Sequence, residues 1–112
     1  MFRIDDDYKI YHTRGDTADF NVTVTFNGNT PQFEAVFSVK KNFKDTDYLL
    51  QLPVVDGHIH ISHEDTQELP FGNYYYDIQV HILDGTTEGK YVTAGPHRYY
   101  LKPDVTTGVE NG

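Results

Sequence analysis

Apolar and polar residues alternate most regularly from Ala18 to Phe26. Phe20, Val22, Val24 and Phe26 fall on one side, Asp19, Asn21, Thr23 and Thr25 on the other. This alternation predicts a strand with one buried face. Asn27-Gly28-Asn29-Thr30-Pro31 supplies turn chemistry, and Ala35, Phe37 and Val39 resume the pattern in a second strand. Lys41 to Asp47 is polar and loop-like. Tyr48, Leu50 and Leu52 then alternate up to Pro53, which has no N–H for a ladder bond. Val55-Asp56-Gly57 reads as a tight turn into a strand that points Ile59 and Ile61 one way and His58, His60 and Ser62 the other.

The stretch from Ser62 to Leu69 breaks the alternation. Ser62 has the chemistry of a helix N-cap, and Asp65 stands where a capping-box acid sits, so one or two helical turns are expected before Pro70. From Tyr74 the chain gives its longest alternation, with Tyr74, Tyr76, Ile78, Val80 and Ile82 opposed to Tyr75, Asp77, Gln79 and His81. Asp84 to Gly89 forms a loop, and the chain returns through Tyr91 and Val92, then His97, Tyr99 and Leu101, with a bulge or bend expected at Gly95-Pro96. These elements predict an all-β, immunoglobulin-like antiparallel β-sandwich of about seven strands with one short helical crossover. The expected organisation is an acidic N-terminal segment, 1–7, one sandwich, 8–102, and a polar, Gly-containing flexible C-terminal tail, 103–112.

Composition supports strands: Val, Ile, Thr, Tyr and Phe recur, and seven Phe and nine Tyr supply much of the buryable area. The formal charge of −8 argues against a phosphate-binding surface, so nucleic acid is not an expected partner. The absence of cysteine removes disulfides and thiolate metal sites, leaving packing, partners or an oligomer to stabilise the domain. No apolar run approaches the roughly 20 residues that span a bilayer, and no membrane insertion is expected.

Candidate chemistry is sparse. His58 and His60 project from one strand face, with His63 close behind, and alternate His residues on a strand can ligate a metal. A solvated strand face accounts for them more simply, since no convincing set of further ligands accompanies them. Arg14-Gly15-Asp16 spells the tripeptide that integrins read, yet it stands directly before the strongest strand, where Gly permits a turn and Asp bonds backbone. Neither Ser38 nor Ser62 lies in a nucleophile turn, and with no Cys a nucleophilic enzyme is not expected; no cofactor is implied. In the Tyr74-Tyr75-Tyr76 run, Tyr75 must point opposite to its neighbours. Tyr74 and Asp65 are therefore read as structural, Tyr74 in the manner of the tyrosine corner of immunoglobulin-like sandwiches, and Tyr75 and Tyr100 as interface candidates.

In order, Arg14-Gly15-Asp16-Thr17, Phe37-Ser38-Val39-Lys40-Lys41 and the stretch from Ser62 through Leu69-Pro70-Phe71-Gly72-Asn73-Tyr74-Tyr75-Tyr76-Asp77-Ile78 resemble small immunoglobulin-like domains of Gram-positive phages and prophages. They are similar to the N-terminal domain of phage baseplate upper proteins, and the likeness spans roughly Asp16 to Thr106. The resemblance implies a virion structural protein, a tail, baseplate or capsid accessory module. It would be made in the bacterial host cytoplasm, partnered by other virion structural proteins or by copies of itself, and without catalytic residues. Members of that family often continue into coiled-coil, shaft or receptor-binding segments, whereas this chain stops soon after Leu101, as a stand-alone accessory protein or a shortened one. The competing expectation is a β-sandwich module that binds carbohydrate or a host surface through Tyr75, Tyr100 and the loops at one end.

Overall fold

In the computed structural model, residues 1–25, 28–83 and 89–103 are described. Phe26, Asn27, the 84–88 loop and the 104–112 tail lie outside them. The described chain is dominated by strands: β1 (Phe2–Ile4), β2 (Ile10–Thr13), β3 (Ala18–Asn21), β4 (Gln32–Lys40), β5 (Leu50–Pro53), β6 (His58–Ile61), β7 (Gly72–Leu83) and β8 (Lys90–Lys102), with one helix, α1 (His63–Gln67), between β6 and β7. They form a curled six-stranded sheet in the order β1-β2-β8-β7-β4-β5 and a two-stranded sheet of β3 and β6. Among the described residues no helix is long and apolar enough to cross a membrane.

The main hydrophobic core joins the two sheets, and a second cluster of Ala35, Val80 and Ile82 packs with Val24, Phe33 and Val54 beside it. Ala18, Ile59 and Ile61 from the small sheet meet Phe37, Val39, Tyr74, Tyr76, Tyr99 and Leu101 from the large one. Phe20 bridges them by setting its ring edge-on to Phe37 at 5.6 Å between centroids. Alternation along β7 has this cause: Tyr74, Tyr76, Val80 and Ile82 are buried while Gln79 is exposed. Burying three Tyr leaves three hydroxyls to satisfy, and each finds a partner. Tyr74 donates to the Pro70 carbonyl, Tyr76 to the Tyr8 carbonyl, and Tyr99 to a ring nitrogen of His12.

The structure departs from the sequence pattern in three places. The strand expected from Ala18 to Phe26 stops at Asn21, because its partner β6 begins at His58, right after the turn whose Gly57 carbonyl accepts the Val22 N–H. Val22 to Thr25 run on beyond that strand with no ladder neighbour among the described residues. Strand length here is set by the partner rather than by the segment's own pattern. Second, the acidic segment 1–7 contains β1, paired antiparallel with β2. Asp5 closes that hairpin, its Oδ1 accepting the N–H groups of Asp7 and Lys9.

Third, the large sheet is mixed and not purely antiparallel. β2 runs parallel to β8, with Ile10 opposite Tyr99 and Thr13 opposite Lys102. The ends of the described fold are fastened at this seam: the Met1 carbonyl accepts the Thr13 N–H, and the Lys102 carbonyl accepts the Arg14 N–H. The expected irregularity at Gly95-Pro96 is present as a register shift opposite Asp77. Gly95 holds φ at +110°, and a Cβ there would lie 2.9 Å from the Tyr76 carbonyl oxygen, which is why a glycine occupies this point.

Candidate interaction surfaces

The outer face of the large sheet follows from its register. Arg3 lies opposite Tyr11, Tyr11 opposite Tyr100 and Tyr100 opposite Asn73. In the next row Arg98 lies opposite Tyr75, and Tyr75 opposite Lys40. Tyr99, Leu101, Tyr74 and Tyr76 point inward, so these rows all point away from the core. The rows are held by ring contacts. The Arg3 guanidinium lies 4.3 Å from the Tyr11 ring centroid, Tyr11 stacks on Tyr100 at 5.1 Å, and the Lys102 ammonium lies 5.5 Å from the Tyr100 ring. Arg98 lies 4.8 Å over Tyr75, which Phe43 meets edge-on at 5.7 Å. Tyr75 and Tyr100, both interface candidates by sequence, thus share one half-buried face braced by cations.

Beside these rows Asp77 points outward in strand register but is only 5% exposed, lying between Ser38 on β4 and the bulge at Gly95. Burial raises its carboxyl pKa, with Lys40 pulling the other way, and its Oδ1 has no hydrogen-bond partner.

The histidines separate. His58 and His60 both donate to Oδ1 of Asp19, at 2.9 and 2.7 Å, and these two bonds hold the Asp19 carboxyl below its ordinary pKa. The site is open, with Asp19 52% exposed, and the other ring nitrogen of His58 meets Oδ1 of Asn21. His63 turns away, its Nδ1–H donating to the Gly15 carbonyl at 2.6 Å. Among the described residues no group of three His, Cys, Asp or Glu side chains is arranged to hold a metal ion.

The Arg14-Gly15-Asp16 turn is fastened to α1. Besides the bond from His63, the Gly15 N–H donates to Oγ1 of the fully buried Thr66. Arg14 donates to the Leu69 carbonyl and lays its guanidinium 4.0 Å from the Phe71 ring centroid, while Asp16 meets the Met1 ammonium. All three residues are engaged with their own fold, as the structural reading of the tripeptide requires. Asp65 supports the same helix, its Oδ2 accepting the Ser62 N–H at 2.8 Å.

Sequence reasoning missed His12, buried completely between the sheets. The Asp16 carbonyl can only accept, so Nε2 of His12 carries the proton and donates to it at 2.8 Å, leaving Nδ1 to accept from Tyr99. Burial drives the His12 pKa down to about 4, so the ring is neutral at pH 7. Reasoning also missed Arg98 and Lys102, although their shared parity with Tyr100 was legible. Where the small sheet ends, an open apolar trough of about 430 Å³ runs between Val22 and Val24 on one side and Ile78, Val80 and Val92 on the other.

Compared with family models, curated proteins and solved structures, the chain has no match in any of the three.

Proposed function

We propose that this chain is an immunoglobulin-like structural module of a phage or prophage virion, one that works through protein–protein assembly and carries no catalytic centre. The strand arrangement supports the fold half of this reading. On this reading β3 and β6 correspond to strands B and E, and β4, β7 and β8 to C, F and G, with β2 beside the last strand. The α1 crossover leads into Tyr74, whose hydroxyl reaches back to the Pro70 carbonyl at 2.5 Å, the bond expected of a tyrosine corner. This segment also carries the resemblance to phage domains.

The observation that carries the functional half is the outer face of the large sheet. Tyr, Arg and Lys gather there, and Tyr and Arg are the residues enriched at protein interfaces. Asp5 accepts from the Tyr11 hydroxyl at 3.4 Å at the edge of these rows, and none of their cations forms an ion pair with a carboxylate among the described residues. The alternative of a carbohydrate platform has less support: a sugar needs a free ring face, whereas Tyr11 and Tyr100 cover each other and Arg3 and Lys102 lie over their rings.

The test is immunogold labelling of particles released from the source strain after prophage induction. Gold at a fixed position on tail, baseplate or capsid is the expected result. Purified particles lacking the chain by mass spectrometry would overturn the virion assignment.

A further inference from the structure

The charges of this chain are sorted onto opposite sides of the molecule. The back layer, made of residues 15–25 and 54–69 and including β3, β6 and α1, contains Asp16, Asp19, Asp56, Glu64, Asp65 and Glu68 and no Lys or Arg at all. Asp16 meets the Met1 ammonium and Asp65 caps α1, but Asp19, Asp56, Glu64 and Glu68 are exposed. The front, the outer face of the large sheet, gathers Arg3, Lys40, Arg98 and Lys102 around Tyr11, Tyr75 and Tyr100. None of these four cations forms an ion pair with a carboxylate among the described residues. Of the carboxylates on this side, Asp77 is buried, Asp5 accepts from the Tyr11 hydroxyl at the edge of the patch, and exposed Glu34 lies toward the far end of β4 from Lys40, beside His81. A chain of net charge −8 thus presents a front where four cations surround the Tyr rows and a back layer that is acidic on balance, with His58 and His60 on Asp19 and Arg14 at its border.

We infer that the front of one copy docks on the back of the next, so that the protein stacks face to back with itself. This rests on the assembly reading above and names the partner. Front against front would set the four cations against their own copies, and back against back would do the same with the carboxylates. Among pairings of the two faces, only front on back joins opposite charges, which gives the contact its orientation. Such a contact is heterologous: one copy keeps its back unused and the other its front, so growth continues into a ring if the rotation closes and a string if it does not. The Tyr rings supply the apolar centre and the cations the rim, the anatomy of a specific interface.

The test uses the full chain in sedimentation velocity, at about 20 mM and about 500 mM salt, since screening at the higher value shortens the reach of charge to a few ångströms. The wild type is expected to associate with rising concentration at low salt and to dissociate at high salt. R98E/K102E sets two introduced carboxylates against Arg3 and Lys40 and removes the net positive charge of the front, and E64K/E68K sets two introduced ammonium groups against the exposed Asp19 and Asp56 and removes the net negative charge of the back. Each alone is expected to lose association by at least about tenfold. An equal mixture of the two is expected to recover pairwise association, because the unaltered basic front of E64K/E68K meets the unaltered acidic back of R98E/K102E.

The milder R98Q and E64Q, with circular dichroism on every variant, separate lost contact from lost fold. A wild type monomeric at low salt, a charge-reversed variant that associates as the wild type does, or a mixture that fails to associate would each overturn the inference. If the chain is monomeric yet labels particles, and R98E/K102E fails to label, the front binds another acidic virion protein. Self-stacking then falls while the assembly reading stands.

Discussion

Lowering the pH should destabilise this fold through one buried side chain, His12. In the folded protein it is neutral by construction: Nε2–H donates to the Asp16 carbonyl, Nδ1 accepts from Tyr99, and no part of the ring reaches solvent. A second proton would have to go on Nδ1, forcing the Tyr99 hydroxyl to turn its hydrogen elsewhere inside the core. Burial accordingly drops the folded pKa from 6.5 to about 4. Between those values the unfolded chain holds a proton that the folded chain refuses. Stability therefore rises with pH across this window and is lost as pH falls through it.

A depression of about 2.5 units is worth about 3 kcal/mol at most, a large part of the 5 to 15 kcal/mol that holds a typical domain together. The assay is urea unfolding at a series of pH values from about 7 to 4, wild type against His12→Gln, whose amide can serve the same donor and acceptor but does not titrate. Subtracting the two curves cancels the carboxylates and the other histidines. The wild type should lose about 3 kcal/mol more than the variant over that range, a midpoint difference of about 2 M urea for a slope near 1.5 kcal/mol/M. Parallel curves would refute the reasoning, because a His12 that titrates alike in both states carries no such linkage.

Three further substitutions probe what positions the surfaces. Tyr74→Phe keeps the ring but deletes the bond to the Pro70 carbonyl, and should cost about 1 kcal/mol in urea unfolding; an unchanged midpoint would mean that the bond contributes nothing. Thr66→Val preserves shape but leaves the Gly15 N–H without its acceptor, so a loss of about 1 to 3 kcal/mol is expected, with faster amide exchange at Gly15. Protection unaltered at that amide would sink the idea that α1 fixes the Arg14-Gly15-Asp16 turn. Gly95→Ala should destabilise by about 1 to 3 kcal/mol, because its φ of +110° and the Tyr76 carbonyl 2.9 Å from the new Cβ both oppose a side chain. Wild-type stability in that variant would show that the bulge relaxes freely.

What could be read in advance was what a strand decides by itself. Tyr74, Tyr76, Val80 and Ile82 announced their buried face because β7 pairs with a neighbour on each side and packs one face on the core, so its polarity pattern mirrors its surroundings. Ser62 and Asp65 announced α1 because capping is local chemistry. Features that depend on a distant partner stayed hidden. The run from Ala18 looked long enough to reach Phe26, but β6 offers it neighbours only as far as Asn21. β1 is three residues long, too short to establish an alternation, and exists because β2 lies beside it.

The candidate surface divides in the same way. Tyr75 and Tyr100 could each be assigned a face by parity, but nothing in sequence places Arg3 and Tyr11 beside Tyr100. Only the parallel pairing of β2 with β8 makes them one patch. The burial of His12 and Asp77 was likewise beyond reach, since His12 is covered by Phe2 and Tyr99 from other strands, and Asp77, at a position that alternation turns outward, is enclosed by Ser38 and the bulge at Gly95.

The seam between β2 and β8 has a consequence for how the backbone is threaded. The first and last described strands are anchored on consecutive residues, Met1 on Thr13 and Lys102 on Arg14, whose Cα atoms are about 3.8 Å apart across one peptide bond. The path is thus almost a closed loop, and a bridge of a few residues from Lys102 to Met1 would complete it. A circularly permuted chain opened at the Val55-Asp56-Gly57 turn would keep every strand pairing of the two sheets. The architecture is in that sense independent of where the reading of the chain begins. A domain of this shape can also be spliced into a loop of a larger protein, entering and leaving at one point.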